Sequence, residues 1–149
     1  MSSRPLKKII ISLAIGMSIY GYFVNNFDFS GSVQQQSQSV NRSLQDAYDN
    51  HRSDIQIKGS GVVIKRLPDD NDGSRHQKFL LKVATGQTLL VAHNIDLADK
   101  IISLKKGDTV DFNGEYEWNS KGGVLHWTHH DPRGRHVNGW LKHQGKIYQ

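Results

Sequence analysis

The segment TVDFNGEYEW, residues 109–118, decides the fold class because apolar and polar side chains alternate along it. A period of two is the pattern of a strand that buries one face and exposes the other. The segment therefore predicts a β-strand of an antiparallel sheet. The buried side of this strand would carry Val110, Phe112, Gly114, Tyr116 and Trp118.

Three more strands are predicted upstream of this segment. Residues 55–67 alternate around Gly59 and Gly61, and glycines inside a barrel strand favour a bend or a bulge. A loop of turn-forming residues, PDDNDGS, follows at residues 68–74. Residues 79–83 and 88–92 then alternate on either side of a Thr-Gly turn, and this pattern predicts a hairpin.

A short helix is predicted between the third and fourth strands, at residues 96–104. Asp96 is a candidate N-cap, and Leu97, Ile101 and Leu104 recur at helical spacing. The sequence Lys-Lys-Gly-Asp that follows would end this helix.

Downstream of the segment, residues 119–123 predict a turn, and a fifth strand begins at Val124. The tail predicts an irregular hairpin around Gln144 and Gly145. Three strands, a short helix and two further strands follow the order of a five-stranded OB-fold-like barrel. The fold class is therefore predicted to be mainly β, with an N-terminal membrane-anchor helix in front of the barrel.

The sequence before the barrel predicts export. Residues 1–8 form a basic cytoplasmic leader, and residues 9–27 form a transmembrane anchor or signal segment, with positive charges only on the N-terminal side. Residues 28–54 are a Gln/Ser-rich tether with a short helix at Leu44–His51, and residues 55–149 form the barrel. We expect a single-pass inner-membrane protein with its C-terminal domain in the periplasm. Secretion to the periplasm after signal cleavage is the alternative.

The composition limits the chemistry of any site. The formal net charge is +5 with histidines neutral, which suits an anionic partner and equally suits simple solubility. The chain has no cysteine, so a metal ion would need imidazole and carboxylate ligands.

Several motifs resemble an uncharacterised bacterial family of short exported or anchored proteins, the domain of unknown function numbered 3465. These motifs are GSGVV at 59–63, LPDDN at 67–71, GSRHQ at 73–77, LLVAHNIDLA at 89–98, GDTVDFNGEYEWN at 107–119 and GGVLHWTHHDP at 122–132, with Gly139-Trp140 downstream. The resemblance implies kinship but no particular reaction, so the expectations about function rest on residue chemistry and topology.

In such a barrel we expect the loop after the first strand and the loop after the fourth strand to lie at the same end, next to the end of the third strand. Cationic, aromatic and polar groups would then frame one groove that suits an anionic ligand. The predicted ligand-binding residues are Arg75, His76, His93, Asn94, Glu117, Trp118, Lys121 and His126.

Residues 126–136 hold four of the eight histidines, and a divalent metal is the one cofactor that this pattern predicts. On a continuous strand His126 and His130 would lie about 13 Å apart, which is too far for one zinc ion. The candidate metal residues are therefore His129, His130, Asp131 and His136, grouped across a turn. A hydrogen-bonded strand end and an anion-binding rim are the alternatives.

The sequence thus predicts a membrane-anchored periplasmic module that binds an anionic polymer, a nucleic acid or an oligosaccharide through an OB-type groove. Catalysis stays undecided, because no nucleophile motif is present and no catalytic residue is assigned. One alternative is a metal-dependent phosphodiester hydrolase that uses Asp70, Asp72, Arg75 and Glu117. Another is a structural adaptor that binds an envelope protein.

Overall fold

The computed structural model describes residues 42–149, which belong to one compact unit, Ser39–Gln149. The predicted leader, the membrane segment and the tether up to residue 41 lie outside the described residues. Within residues 42–149 no helix combines the length and the apolar character needed to cross a bilayer. The elements are α1 (residues 42–49), β1 (Ile55–Arg66), β2 (His76–Val83), β3 (Thr88–Asn94), β4 (Thr109–Glu117), β5 (Val124–His126), β6 (Trp140–His143) and β7 (Lys146–Tyr148).

Five strands close into a barrel in the order β1-β2-β3-β5-β4, and β4 pairs again with β1. All neighbours in this ring are antiparallel except β3 and β5, which are parallel. Closure leaves no free sheet edge in the ring. The predicted mainly β, five-stranded OB-fold-like barrel is thus confirmed.

The long strand β1 closes the barrel because its first part pairs with β4 and its last part pairs with β2. The chain bends where the two pairings overlap, and the register with β2 shifts between Val63 and Lys65. Gly61 lies at the overlap, where an added Cβ would be 3.1 Å from the Lys82 carbonyl oxygen. The predicted irregularity in the first strand is therefore present.

The barrel core consists of the inward side chains of the alternating strands, with Phe79, Phe112 and Tyr116 among the largest. Helix α1 contributes Leu44 and Ala47 to the same core. The predicted short helix at 44–51 is thus confirmed, with helical residues at 42–49. Its side chains help to cover one end of the barrel.

The predicted helix at residues 96–104 is wrong, because this segment is a series of turns between β3 and β4. The Gln77 side chain from β2 bonds both backbone groups of Ile101: its Nε2 donates to the Ile101 carbonyl and its Oε1 accepts from the Ile101 N–H, each at 2.9 Å. These tertiary hydrogen bonds satisfy backbone groups that a helix would pair internally. Ile101 and Leu104 are still buried, whereas Leu97 is exposed.

The tail forms the predicted hairpin. Strand β6 pairs with β4, and β7 pairs with β6, outside the closed ring. Gln144 and Gly145 have φ values of 49° and 82°, the left-handed conformations that a two-residue hairpin turn requires.

Candidate functional site

Two glutamates project from the outer side of β4. Alternation along this strand buries Phe112, Gly114 and Tyr116 and turns Glu115 and Glu117 outward. In the pairing of β4 with β5, Glu115 lies opposite His126 and Glu117 lies opposite Val124. The sheet register therefore brings two carboxylates and one imidazole to the same patch of surface.

The His126 imidazole lies between the two carboxylates. Its Nε2 is 3.3 Å from Glu115 Oε1 and 3.6 Å from Glu117 Oε1, with the three side chains 18–34% exposed. This nitrogen is shielded from solvent and lacks a hydrogen-bond partner among the described residues, because neither contact has hydrogen-bond geometry. One ligand atom from each of the three side chains lies within 4.8 Å of the other two. We call Glu115, Glu117 and His126 the carboxylate–histidine cluster.

A turn directly after His126 brings a second imidazole to this cluster. Trp127 has a φ of 48°, so β5 ends there and the chain reverses. The Trp127 ring stacks on His136 with centroids 3.6 Å apart and planes 15° apart. His136 Nδ1 in turn lies 3.5 Å from Glu115 Oε2, the oxygen that does not face His126.

Asp131 holds the loop that carries His136. Its carboxylate accepts hydrogen bonds from the backbone N–H groups of Arg133, Arg135 and His136 at 2.6–2.9 Å. These bonds, with that from Arg133 the largest contribution, lower the pKa of Asp131 to about 2. The carboxylate is thus a structural acceptor within the loop.

A surface pocket of about 350 Å³ opens beside the cluster, across β2, β3, β5 and β4. Its lining combines two apolar side chains with carboxylates, imidazoles and one amine. Lys78 Nζ lies 3.2 Å from Asp70 Oδ2, so the single amine is already paired with an acid. The lining residues are Asp70, His76, Lys78, Ala92, Glu117, Val124 and His126.

A different histidine lies inside the barrel. His93 is fully buried, with Nδ1 2.8 Å from the Thr128 hydroxyl oxygen and Nε2 3.2 Å from the Asp99 carbonyl oxygen. A carbonyl only accepts, so Nε2 carries the proton and Nδ1 accepts from the hydroxyl. Burial lowers the pKa of His93 to about 4, although the bond to the Asp99 carbonyl opposes the shift.

Residues 28–149 match the family model described as a protein of unknown function, DUF3465. The chain belongs to this family. The match covers the whole described barrel and confirms the resemblance seen in the sequence motifs. A comparison with curated proteins finds no match to this DUF3465 chain.

The two loops expected to frame one groove of the DUF3465 barrel lie instead at opposite ends of β3. The loop after β1 pairs Asp70 with His76, which lies opposite Asn94 at the end of β3. The loop after β4 reaches the start of β3, where the Leu90 N–H donates to the Gly123 carbonyl. The prediction that both loops lie at the same end of the barrel is therefore wrong. Strand β4 runs antiparallel to β1, so the loop that follows β4 and the loop that follows β1 lie at opposite ends.

Three of the eight predicted ligand residues, His76, Glu117 and His126, line the common pocket. The other five lie elsewhere. Arg75 Nε is 2.7 Å from Asp96 Oδ1, and Asn94 Oδ1 accepts from the Asp96 N–H, so both stabilise the turn after β3.

The remaining three predicted ligand residues, His93, Trp118 and Lys121, do not line the pocket. His93 points into the core. The Trp118 indole packs beside His51, with ring centroids 4.1 Å apart, and its Nε1 donates to the carbonyl of Tyr48 in the last turn of α1. Lys121 lies in the loop beside the β2–β3 turn.

The candidate metal residues are also dispersed. His129 is buried, with Nδ1 2.8 Å from the His130 carbonyl oxygen, while the His130 side chain is exposed. Asp131 is occupied by backbone N–H groups, and His136 faces Glu115. Among residues 42–149, the one group of three or more His, Asp or Glu side chains with ligand atoms within 4.8 Å of one another is the carboxylate–histidine cluster.

Glu115 is the site residue that sequence reasoning missed. The alternation in β4 already placed it on the same side as Glu117, so the strand pattern carried part of the signal. Its position opposite His126 follows from the pairing of β4 with β5, which sequence periodicity alone does not specify.

Proposed function

We propose that this DUF3465 domain is an envelope binding module that holds an oligosaccharide on the outer face of its barrel. The export segment predicted at residues 9–27 would tether the barrel on the periplasmic side of the inner membrane. The ligand surface would be the pocket across β2, β3, β5 and β4, and turnover is not required for this role.

The observation that carries this proposal is an apolar row flanked by hydrogen-bonding groups. Leu80 lies opposite Leu90, Leu90 lies beside Val124, and Val124 lies opposite Glu117. All four side chains are partly exposed on the outer face; Val124 and Glu117 line the pocket, and Leu80 and Leu90 continue the row beside it. Sugar rings present C–H faces and hydroxyl rims, so an apolar floor with carboxylate and imidazole acceptors complements them. The same face of an OB-fold barrel is a common site for oligosaccharides.

The charges around the pocket favour a neutral sugar over an anionic polymer. The rim carries Asp70 and Glu117, and Lys78 is paired with Asp70. Arg75 is paired with Asp96 and does not line the pocket. An anionic chain would therefore meet carboxylates, which repel it, without an unpaired amine or guanidinium in the lining.

The hydrolase alternative receives less support. It requires Asp70, Asp72, Arg75 and Glu117 around one ion, but only Asp70 and Glu117 line the pocket. The adaptor alternative makes a separate prediction, since it requires a protein partner that cross-linking recovers and no affinity for sugars.

The proposal is tested by titrating the full-length chain against neutral oligosaccharides, anionic oligosaccharides and single-stranded oligonucleotides. Val124→Asp places a charge in the apolar row, and we expect it to weaken binding of a neutral oligosaccharide at least about tenfold, because the charge must be desolvated against the sugar. Val62→Asp is the matched control, since Val62 is a 43% exposed outward residue of β1 outside this pocket.

Equal binding by wild type and Val124→Asp would contradict the proposed surface. Binding of oligonucleotides in preference to neutral sugars would favour the anionic-polymer interpretation, and metal-dependent cleavage of a phosphodiester would favour the hydrolase. If neither sugars nor oligonucleotides bind and a cross-linked protein is recovered, the adaptor role replaces this proposal.

A further inference from the structure

We propose that the carboxylate–histidine cluster is a Zn²⁺ site in which Glu115, Glu117 and His126 are the protein ligands. This inference goes beyond sugar binding and does not depend on it. It rests on the distances within the cluster, on the charges around it and on the support of Glu115 by a second imidazole.

The distances fit ligands of a shared ion better than hydrogen bonds. His126 Nε2 is 3.3 Å from one carboxylate oxygen and 3.6 Å from the other, and it lacks a hydrogen-bond partner among the described residues. Good N–H···O bonds are about 2.7–3.2 Å long. Ligand atoms about 2.0–2.2 Å from a tetrahedral zinc ion lie about 3.3–3.6 Å apart. The two separations from His126 match this spacing, and one ligand atom from each side chain lies within 4.8 Å of the other two.

The charges around the cluster favour a cation. In the described part of the chain, every ion pair of Glu115 and Glu117 is with a histidine, and neither pairs with Lys or Arg. Two partly buried carboxylates are thus compensated only by imidazoles, each of which is charged only when protonated. A divalent cation would supply the missing positive charge, and a neutral imidazole would then serve as its nitrogen ligand.

The ligand types select zinc over the hard cations. Ca²⁺ and Mg²⁺ prefer oxygen ligands throughout, whereas imidazole with carboxylate suits Zn²⁺. Three protein ligands leave one coordination position for water or another ligand. Glu117 and His126 also line the pocket, so this position would be accessible from solvent.

His136 acts as a positioning residue for the site. Its Nδ1 lies 3.5 Å from Glu115 Oε2, while Glu115 Oε1 faces His126. Stacking on Trp127 and the bond from the His136 N–H to Asp131 fix the imidazole in place. Such support of a ligating carboxylate typically changes metal affinity by about 10–100-fold when it is removed.

The test is calorimetric titration of Zn²⁺ into the full-length chain after removal of metal with a chelator. We expect one equivalent to bind, with affinity reduced more than about 100-fold in His126→Asn and Glu117→Gln and about tenfold in His136→Asn. Substitution with Co²⁺ should give the visible absorption of a tetrahedral site in wild type and lose it in His126→Asn. Circular dichroism of each variant verifies that it is folded.

The matched control is His130→Asn, because His130 is an exposed histidine in the adjoining loop and is one of the residues that the sequence marked as a metal ligand. Its affinity for Zn²⁺ should equal that of wild type. Loss of binding in His130→Asn but not in His126→Asn would overturn the proposed ligand set in favour of the loop. Absence of stoichiometric Zn²⁺ binding to folded wild type would show that the cluster is only a set of ion pairs. Glu117 and His126 belong to both the pocket and the cluster, whereas Val124 lines the pocket and is not a proposed ligand, so the Val124→Asp titration distinguishes failure of the sugar proposal from failure of the metal proposal.

Discussion

The barrel interior and its outer face use histidine in opposite ways on paired strands. His93 on β3 points inward, is fully buried, and has partners for both ring nitrogens. His126 on β5 points outward, is partly exposed, and lies between two carboxylates. The parity of each position along its strand decides which environment the imidazole enters. The interior histidine therefore contributes to the fold, and the outer one belongs to the surface cluster with Glu115 and Glu117.

Removing the interior imidazole should have the largest effect. His93→Leu leaves the Thr128 hydroxyl and the Asp99 carbonyl without their partner, and each loss costs about 1–3 kcal/mol. We expect the free energy of unfolding to fall by about 4 kcal/mol, measured by urea denaturation at pH 7. The exposed His130→Leu should change it by less than about 0.5 kcal/mol. A loss below about 1 kcal/mol in His93→Leu would mean that this interior network contributes little.

The free energy of unfolding should also depend on pH through the interior histidine, His93. The pKa of His93 is lowered from 6.5 to about 4 in the folded state, so the unfolded chain binds more protons between these values. Stability from this group is complete above about pH 6.5, is lost as the pH falls towards about 4, and changes no further below that. The loss amounts to about 3 kcal/mol.

Urea unfolding at pH 7 and at pH 4.5 measures this loss, and His93→Leu should show a smaller difference between the two conditions. The acidic groups interfere little in this window, because the pKa values of Asp96, Asp108 and Asp131 are lowered below 3.8 and their contributions are lost only in stronger acid. The His93 imidazole signals in NMR spectra should not titrate above about pH 5. Titration of these signals near 6.5 would contradict the buried, neutral assignment.

The same alternation explains how much of the fold the sequence predicts. Strands β1 to β4 and the tail hairpin follow from period-two patterns and turn residues, which depend on neighbours in the chain. The turns at 95–104 do not follow from such patterns, because the Gln77 side chain on β2 hydrogen-bonds to the backbone N–H and carbonyl of Ile101. A tertiary contact of this kind overrides helical spacing, and local patterns contain no sign of it.

The candidate site is likewise predicted only in part by the sequence. Alternation indicates that Glu115, Glu117 and His126 point outward, but their meeting depends on the register of two short strands. The periodicity of the sequence also does not predict where β5 ends. The strand ends at Trp127, which has a positive φ, and Gly139 packs closely against the backbone there. An added Cβ at Gly139 would lie 1.9 Å from the Trp127 carbonyl oxygen, so a long-range contact shapes the turn that delivers His136.

The smallest effect is expected at the outer histidine when metal is removed. In the presence of a chelator, His126→Asn should lower the free energy of unfolding by less than about 1 kcal/mol, because partly exposed ion pairs contribute little. Saturating Zn²⁺ should then raise the unfolding midpoint of wild type, since a ligand that binds only the folded state stabilises it, and should leave the variant unchanged. A large loss in chelator, close to that of His93→Leu, would show that the cluster supports the fold. In that case the distinction between an interior histidine that stabilises and an outer histidine that binds would fail.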